Sequence, residues 1–184
     1  MRPPVFVFIL IALIDCSPIR FISSTHQYNV YIESGFSDED KRAIVASFRE
    51  WETATQQTVT FVEVSSEDNS QAIIVVTAST KDGMAKMFPN SPIGRCQYRG
   101  SNSHIYVATD LDRRDFYQTS LHEFGHSVGL GHDTNLDHAH QTTMMAHTLD
   151  SSTHLKCRDM IAFCDMWDCN ANQFPLCKES KSSL

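Results

Sequence analysis

The sequence predicts one mixed domain of the α/β (α+β) class, built on a twisted mixed sheet of about five strands. Three observations support this prediction. Its 184 residues are enough for one domain with a core of ordinary size. Its composition, 41% hydrophobic and 20% charged, is that of a globular protein. Segments with the period of strands alternate with segments of helical period, in the order strand, helix, three or four strands, helix, loop, helix.

The first half of the predicted domain contains one helix and three strands. Residues 28–32 alternate between apolar and polar side chains, as a strand does. A helix is predicted next, because Ser37 can cap it and Asp40 lies three residues later. The side chains expected on its core face are Ile44, Phe48, Trp51 and Thr55. Two strands follow at 58–64 and 72–77, and the continuous apolar run of the second is typical of a buried central position.

The second half adds an edge, a further strand and the helix of greatest interest. Residues 79–103 contain several glycines and prolines, which predicts a long loop with a short edge strand near 93–98. A strand is predicted at 104–109 and a helix at about 112–128. The side chains expected on the buried face of that helix are Tyr117, Leu121, Phe124 and Val128.

A third helix is predicted at 151–167, followed by a polar, irregular tail at 168–184. The residues expected on one side of this helix are Cys157, Met160, Ile161 and Cys164. We therefore expect a C-terminal helix that contributes one apolar face to the core.

The N-terminal residues predict a secretory signal peptide covering 1–16. Arg2 supplies a positive start, and residues 5–14 form an apolar run that suits a secretory signal and is too short for stable insertion into a membrane. Asp15 stands where a lipid-attachment box needs a small residue, which favours secretion without a lipid anchor. The alternative, a buried N-terminal strand, fits the length and flanks of the run less well.

The cysteines indicate disulfides in an exported protein. The six are Cys16, Cys96, Cys157, Cys164, Cys169 and Cys177. The first two tail cysteines lie seven residues apart on the predicted helix, too far to bond to each other, so each is expected to reach Cys169, Cys177 or Cys96. Cleavage after Cys16 leaves an odd number, so one is free, intermolecular or paired elsewhere. A zinc knuckle is the alternative, but the tail lacks a C-x-x-C pair.

The charge of the chain excludes two classes of partner. The formal net charge is -7, and the lysines and arginines form no basic stripe. Nucleic acid and anionic membrane surfaces are therefore not expected as partners.

The stretch HEFGHSVGLGHD, residues 122–133, points to a metal site. His122 and His126 are four apart on a predicted helix, so their rings lie on one face about one turn apart. Glu123 points in another direction and can reach a water beside the metal rather than the metal itself. Gly129 accepts the left-handed conformation of a sharp helix exit. The chain can then return His132 as a third ligand, and three histidines leave zinc one open position.

This stretch resembles the metzincin zinc peptidases, whose pattern H-E-x-x-H-x-x-G-x-x-H it matches at every fixed position. The segment TTMMAH is similar to the family's methionine turn, with Met145 aligned to the family methionine and Met144 as the alternative. The resemblance implies one catalytic Zn²⁺ ligated by the three histidines and Glu123 as general base. It also implies a zincin fold with an active-site helix, a methionine turn and a C-terminal helix.

Within the metzincins, the chain looks like a compact matrixin. Residues 28–163 are similar to a matrixin catalytic domain, although only the zinc motif is highly specific. No cysteine-switch segment, no acidic calcium loop and no haemopexin-like domain is recognisable, so calcium binding is left open. No tyrosine follows Met145, so the switchable tyrosine ligand of astacins is not expected.

The sequence thus predicts a secreted, monomeric zinc endopeptidase that acts on protein or peptide substrates. Its catalytic domain is expected at 25–167. Two other classes of function stay open. One is a zinc-binding interaction module without catalysis, although an intact Glu123 argues against it. The other is an inhibitor or toxin-like protein whose cysteine-rich tail carries the function.

Overall fold

The computed structural model describes the ranges 27–65, 73–99, 102–132, 143–145 and 154–179. The predicted signal peptide, with Cys16, lies outside the described residues. Cys96 lies in the described part of the chain and is buried. No helix in the described part of the chain combines the length and apolar composition that a membrane span requires.

Five strands of the described residues form one mixed sheet. They are β1 (Gln27–Ile32), β2 (Thr60–Glu63), β3 (Ile73–Ser79), β4 (Gly94–Arg99) and β5 (Asn102–Ala108). Their order across the sheet is β2-β1-β3-β5-β4. All neighbouring pairs are parallel except β4 and β5, which are antiparallel. Strand β3 is therefore central and β4 is an edge strand, as the sequence predicts.

Five helices accompany the sheet in the described ranges. They are α1 (Asp38–Ala54), α2 (Lys81–Met87), α3 (Arg113–Ser127), α4 (Cys157–Trp167) and α5 (Pro175–Glu179), with a 3₁₀ turn at Ala171–Gln173. The mixed α+β class and the five-stranded sheet are confirmed.

Helix α1 begins as predicted, with a capping box. The Ser37 hydroxyl accepts from the Asp40 N–H at 3.1 Å, and the Asp40 carboxylate accepts from the Ser37 N–H at 3.2 Å. This reciprocal pair satisfies two N–H groups that the start of a helix otherwise leaves without partners. The predicted core face is buried, namely Ile44, Phe48, Trp51 and Thr55.

The core lies between the sheet and helices α1 and α3. Phe48 of α1, Phe61 of β2 and Phe124 of α3 form an aromatic cluster, with each pair of ring centroids 5.6 Å apart. The Trp51 Nε1–H donates to the Leu121 carbonyl oxygen at 2.9 Å. Together these contacts hold α3, which carries the histidine motif, against α1.

The loop predicted for 79–103 is wrong in one part, because it contains α2. Thr80 caps this helix by accepting from the Gly83 N–H at 3.1 Å. The side chain of Met84, which belongs to the helix, is fully buried. Gly83 obscures the helical pattern, since glycine is a poor helix former and this helix is only two turns long. The edge strand predicted near 93–98 is confirmed as β4.

Helix α3 is buried more widely than the predicted stripe. Leu121, Phe124 and Val128 are buried as expected, but Tyr117 is only partly buried, and every residue of 118–127 is buried. The helix packs against α1, β4 and β5, so neighbours enclose it on several sides. The prediction that Tyr117 is buried is therefore only partly correct, because its side chain is partly exposed.

Helix α4 begins at Cys157, six residues later than predicted, and its buried face differs by one residue. Met160 and Cys164 are buried as expected, whereas Ile161 is 38% exposed and Phe163 takes a buried position instead. Met160, Phe163 and Cys164 are spaced by three and four residues, so they share one face that excludes Ile161.

Two disulfides join α4 to the tail. They are Cys157–Cys177 and Cys164–Cys169, which confirms that each helix cysteine reaches a tail cysteine. The tail is also more regular than predicted, because it forms the 3₁₀ turn and α5 and buries Phe174 completely. The prediction of an irregular tail is therefore wrong for its described residues. Their packing depends on disulfides, which the periodicity of the sequence cannot reveal.

Candidate metal centre

Three histidine side chains meet at the C-terminal half of α3. His122 and His126 lie one turn apart on the helix, and His132 follows it. The Nε2 atom of His132 lies 3.2 Å from that of His122 and 3.1 Å from that of His126. Their candidate ligand atoms all lie within 4.8 Å of one another, and within the described ranges this is the group of three or more ligating side chains that can hold a metal ion.

Backbone carbonyl groups orient the two helical histidines. The Nδ1–H of His122 donates to the Met144 carbonyl at 2.7 Å, and the Nδ1–H of His126 donates to the Leu130 carbonyl at 2.7 Å. Each bond fixes the ring tautomer that leaves Nε2 with a free lone pair. Burial, with a smaller effect from neighbouring His122, holds the pKa of His126 well below its usual value. The neutral imidazole, which is the form that binds a metal, is therefore favoured.

A tight turn returns the chain from α3 toward the site. Gly129 has a φ of +100°, a conformation that residues with a side chain rarely adopt. The Leu130 N–H donates to the Gly125 carbonyl at 3.0 Å, and Leu130 is buried. The predicted role of Gly129 at the helix exit is confirmed, and His132 follows three residues later.

The donor set fits a zinc ion. Zinc in proteins usually has four ligands in a tetrahedral arrangement. With Zn–N distances of about 2.0–2.1 Å, two ligating nitrogens in this arrangement lie about 3.3 Å apart. The two Nε2 separations given above, 3.2 and 3.1 Å, are close to this value. Three imidazoles leave the fourth position open.

The Glu123 side chain lies between α3 and the edge strand. It is buried, and it leaves the helix in a different direction from its neighbour His122. A Cβ atom placed on Gly94, the first residue of β4, would lie 2.7 Å from Glu123 Oε1 and 3.2 Å from its Cγ. The carboxylate therefore occupies space that a side chain at Gly94 would fill.

The predicted methionine turn lies against the histidine helix. A Cβ atom placed on Gly125 would clash with the Met145 Sδ atom and would lie 2.9 Å from a ring carbon of Trp51. Met144 and Met145 are both buried. Met145 thus packs directly beneath α3, while Met144 contributes the carbonyl that orients His122.

Asp159 of α4, which the sequence does not predict as a site residue, holds this turn. Its carboxylate accepts from the Lys156 N–H at 2.8 Å, from the Met145 N–H at 3.3 Å and from the Thr143 hydroxyl. Burial raises its pKa, and these hydrogen bonds oppose that shift only in part. The available signal is an acidic residue directly before two apolar residues of a predicted helix.

The edge strand is tied to the end of α3. Gly94, Cys96 and Tyr98 alternate along the side of β4 that faces the helix. The Tyr98 hydroxyl donates to the backbone carbonyl of His126. Strand β4 therefore runs beside α3, and its outer edge pairs with no strand among the described residues.

A five-stranded mixed sheet, a buried helix with two histidines, a turn to a third and a methionine beneath them together form a metzincin fold with a candidate metal site. The family model Astacin (Peptidase family M12A) matches residues 21–170. The chain therefore belongs to the astacin family. This match confirms the metzincin resemblance and corrects the matrixin-like assignment, because astacins are a different branch. The segments that resembled matrixins are strand and helix patterns, which are less specific than the zinc motif.

Two of the solved structures that resemble this chain are distant likenesses. One is high choriolytic enzyme 1 (HCE-1), a hatching enzyme zinc-protease from Oryzias latipes (medaka fish), with 18% identity, a TM-score of 0.40, and coverage of 64% of this chain and 50% of that chain. The other is myroilysin, with 12% identity, a TM-score of 0.47, and coverage of 79% and 85%. This chain spans about half the length of the medaka enzyme. A comparison with curated proteins found no match.

Proposed function

We propose that this chain is a secreted zinc-dependent endopeptidase that hydrolyses peptide bonds in proteins or peptides. Zinc is held by His122, His126 and His132, and Glu123 is the general base. The observation that carries this proposal is the convergence of three Nε2 atoms, one of them on the residue before the buried Glu123. Membership of a peptidase family supports the same class of reaction.

The histidines supply a rigid, neutral ligand set. Bound zinc supplies Lewis-acid chemistry, because it polarises a peptide carbonyl and lowers the pKa of a water molecule. The carbonyl groups of Met144 and Leu130 keep His122 and His126 in the tautomer with Nε2 free. The site thus needs no change of tautomer or ring orientation at these two residues when the metal binds.

Glu123 moves the proton. Its carboxylate accepts the proton of the attacking water and then delivers it to the amine that leaves the cleaved bond. The side chain is buried between α3 and β4, where the low dielectric strengthens its electrostatic interactions. It is next to a metal ligand in sequence but does not belong to the histidine group, which suits a base rather than a ligand.

Strand β4 aligns the substrate. An extended peptide can add to an exposed sheet edge through backbone hydrogen bonds. The outer edge of β4 pairs with no described strand, and Tyr98 anchors this strand to the carbonyl of His126. A peptide on this edge would run past the histidines and Glu123.

Export and domain organisation form part of the proposal. The chain consists of a signal peptide at 1–16, a catalytic domain at 25–167 and a tail at 168–184, and it acts as a monomer. The two disulfides support export, because disulfides persist in oxidising compartments. N-terminal sequencing of exported protein should find residues 1–16 removed, and an exported chain that starts at Met1 would contradict this part.

Metal analysis combined with a peptide-library assay tests the proposal. Purified protein without a blocking segment should contain about one zinc ion per chain and cleave library peptides. His126→Ala should lose both metal and cleavage, because a two-histidine site holds zinc poorly. A chelator should reproduce this loss in the wild type, and added zinc should reverse it. A full zinc site that cleaves no peptide would favour the non-catalytic interaction module.

A further inference from the structure

The end of helix α4 contacts the turn that leads to the third histidine. The Trp167 Nε1–H donates to the Val128 carbonyl oxygen at 3.3 Å. A Cβ atom placed on Gly129 would lie 2.6 Å from the Met166 Sδ atom. Two adjacent side chains of α4 therefore cover two adjacent residues of the helix exit, and the chain reaches His132 three residues later.

Met166 and Trp167 lie within a short loop of the chain that a disulfide closes. Cys164 and Cys169 are bonded to each other, and Met166 and Trp167 lie between them in the chain. Helix α4 ends at Trp167, and the cap residue Asp168 has a φ of 51° and a ψ of 50°, in the left-handed region. The Cys169 N–H donates to the Cys164 carbonyl at 3.2 Å across the same reversal. Helix ends usually fray, and this covalent ring holds the last turn of α4 closed.

Aromatic packing supports the ring from the core side. The Trp167 ring stacks on Phe163, with centroids 5.4 Å apart and planes 16° apart. Phe163 is fully buried and in turn contacts Phe174 of the tail, with centroids 6.3 Å apart. The indole that bonds the Val128 carbonyl therefore rests on a fixed surface.

The position of His132 depends on this turn more than the positions of the helical histidines do. His122 and His126 stand on α3, which its neighbours enclose. His132 follows Gly131, which is exposed and has open space where a Cβ atom would stand. Val128 and the two residues after it are the last buried positions before His132.

We propose that Met166 and Trp167, fixed by the Cys164–Cys169 disulfide, are positioning residues for His132. They act through the Val128–Gly129 turn and touch neither metal nor substrate. This inference rests on the proposed function, since it takes His132 to be a metal ligand.

Titration of the metal-free protein with Co²⁺, followed by visible absorption, tests the inference. Met166→Ala and the double variant Cys164→Ala/Cys169→Ala should each raise the dissociation constant for Co²⁺ by about 10-fold, the lower end of the loss usual for supporting residues of metal sites. The absorption bands of the bound ion should also shift, because the ligand geometry changes. Met166→Leu fills the same space and should restore both values.

A matched control and a second variant keep the outcome clear. Ile161→Ala changes an exposed side chain of the same helix and should leave Co²⁺ affinity unchanged. Trp167→Phe removes the indole N–H, keeps an aromatic ring for Phe163, and should weaken Co²⁺ binding even if the double cysteine variant does not fold. Wild-type affinity and spectrum in folded Met166→Ala and Trp167→Phe would overturn the inference, and so would an equal loss in Ile161→Ala.

The same titration separates this inference from the proposed function. Failure of the proposed function would appear in wild-type protein that binds no Co²⁺, or in His126→Ala that binds it as well as wild type. Failure of the inference alone would appear as normal wild-type binding, loss in His126→Ala, and no effect of the changes at Met166 and Trp167.

Discussion

At the scale of single residues, Gly94 is a small residue that makes room for a functional one. In Gly94→Ala, the new methyl group meets the Thr119 methyl group and Glu123 Oε1. We expect peptide hydrolysis to fall by about 10²-fold with zinc content unchanged, because a displacement of about 1 Å at a reacting group can cost that much.

The clash of the new methyl group with Thr119 can be separated from its clash with Glu123. Gly94→Ala/Thr119→Ser removes the Thr119 methyl group and leaves only the contact with Glu123, so activity should remain low. Gly131→Ala is a matched control, because no atom lies within 4 Å of the point where its new Cβ atom would stand. Activity in the Gly94→Ala/Thr119→Ser variant equal to that of Gly131→Ala would show that Glu123 does not need this space.

Asp159 should make the free energy of unfolding depend on pH. Its pKa is raised in the folded protein, so folding favours the protonated form. Its contribution to the free energy of unfolding is therefore complete at low pH and declines as pH rises through the raised pKa. Urea unfolding of metal-free wild type and Asp159→Asn between about pH 4 and 8 measures this effect by difference. A difference between the two curves that does not change with pH would contradict the prediction.

The residues of the site differ in how well sequence predicts them. His122, Glu123, His126 and His132 are recognisable because their spacing encodes a helix face and a turn. Asp159 is not, because its contacts to the methionine turn arise only when two distant segments pack. The carbonyl groups that orient the imidazoles belong to the backbone, and they leave no trace in residue identity.

At the scale of elements, the contact between α1 and α3 should contribute strongly to stability. Trp51→Phe removes the bond from the indole N–H and leaves the buried Leu121 carbonyl without that donor. We expect the free energy of unfolding to fall by about 1–3 kcal/mol. Val62→Ala, at an exposed position of β2, is the control and should change it by less than about 0.5 kcal/mol. Equal effects in denaturant unfolding would contradict the importance of this contact.

Elements with a clear period were predictable, and those set by tertiary contacts were not. Ser37 and the apolar face of α1 predicted that helix correctly. Helix α2 is not predicted because Gly83 weakens the helical pattern of a short segment. The helix is stabilised instead by the burial of Met84. The sequence predicts Ile161 in the core because its neighbours are apolar, but packing against the tail and the methionine turn decides which face of α4 is buried.

At the scale of the whole molecule, the disulfides link the tail to helix α4. The sequence predicts that each cysteine of α4 bonds to Cys169, Cys177 or Cys96, but spacing alone cannot give the pairing. Removing the Cys157–Cys177 bridge by a double alanine substitution should lower the free energy of unfolding by about 3 kcal/mol, as expected for a loop of its length. Unchanged stability in equilibrium unfolding under non-reducing conditions would show that this bridge does not constrain the chain.

The central claim, a zinc peptidase with Glu123 as its base, is tested most directly by Glu123→Ala. The three histidines and the carbonyl groups that orient them are untouched, so zinc content should remain at the wild-type level. Peptide hydrolysis should fall by about 10²–10⁴-fold, which is the usual contribution of a positioned acid–base group. Zinc content and cleavage rate measured on the same preparation decide the matter. A Glu123→Ala protein that keeps its zinc and cleaves peptides at the wild-type rate would contradict the account.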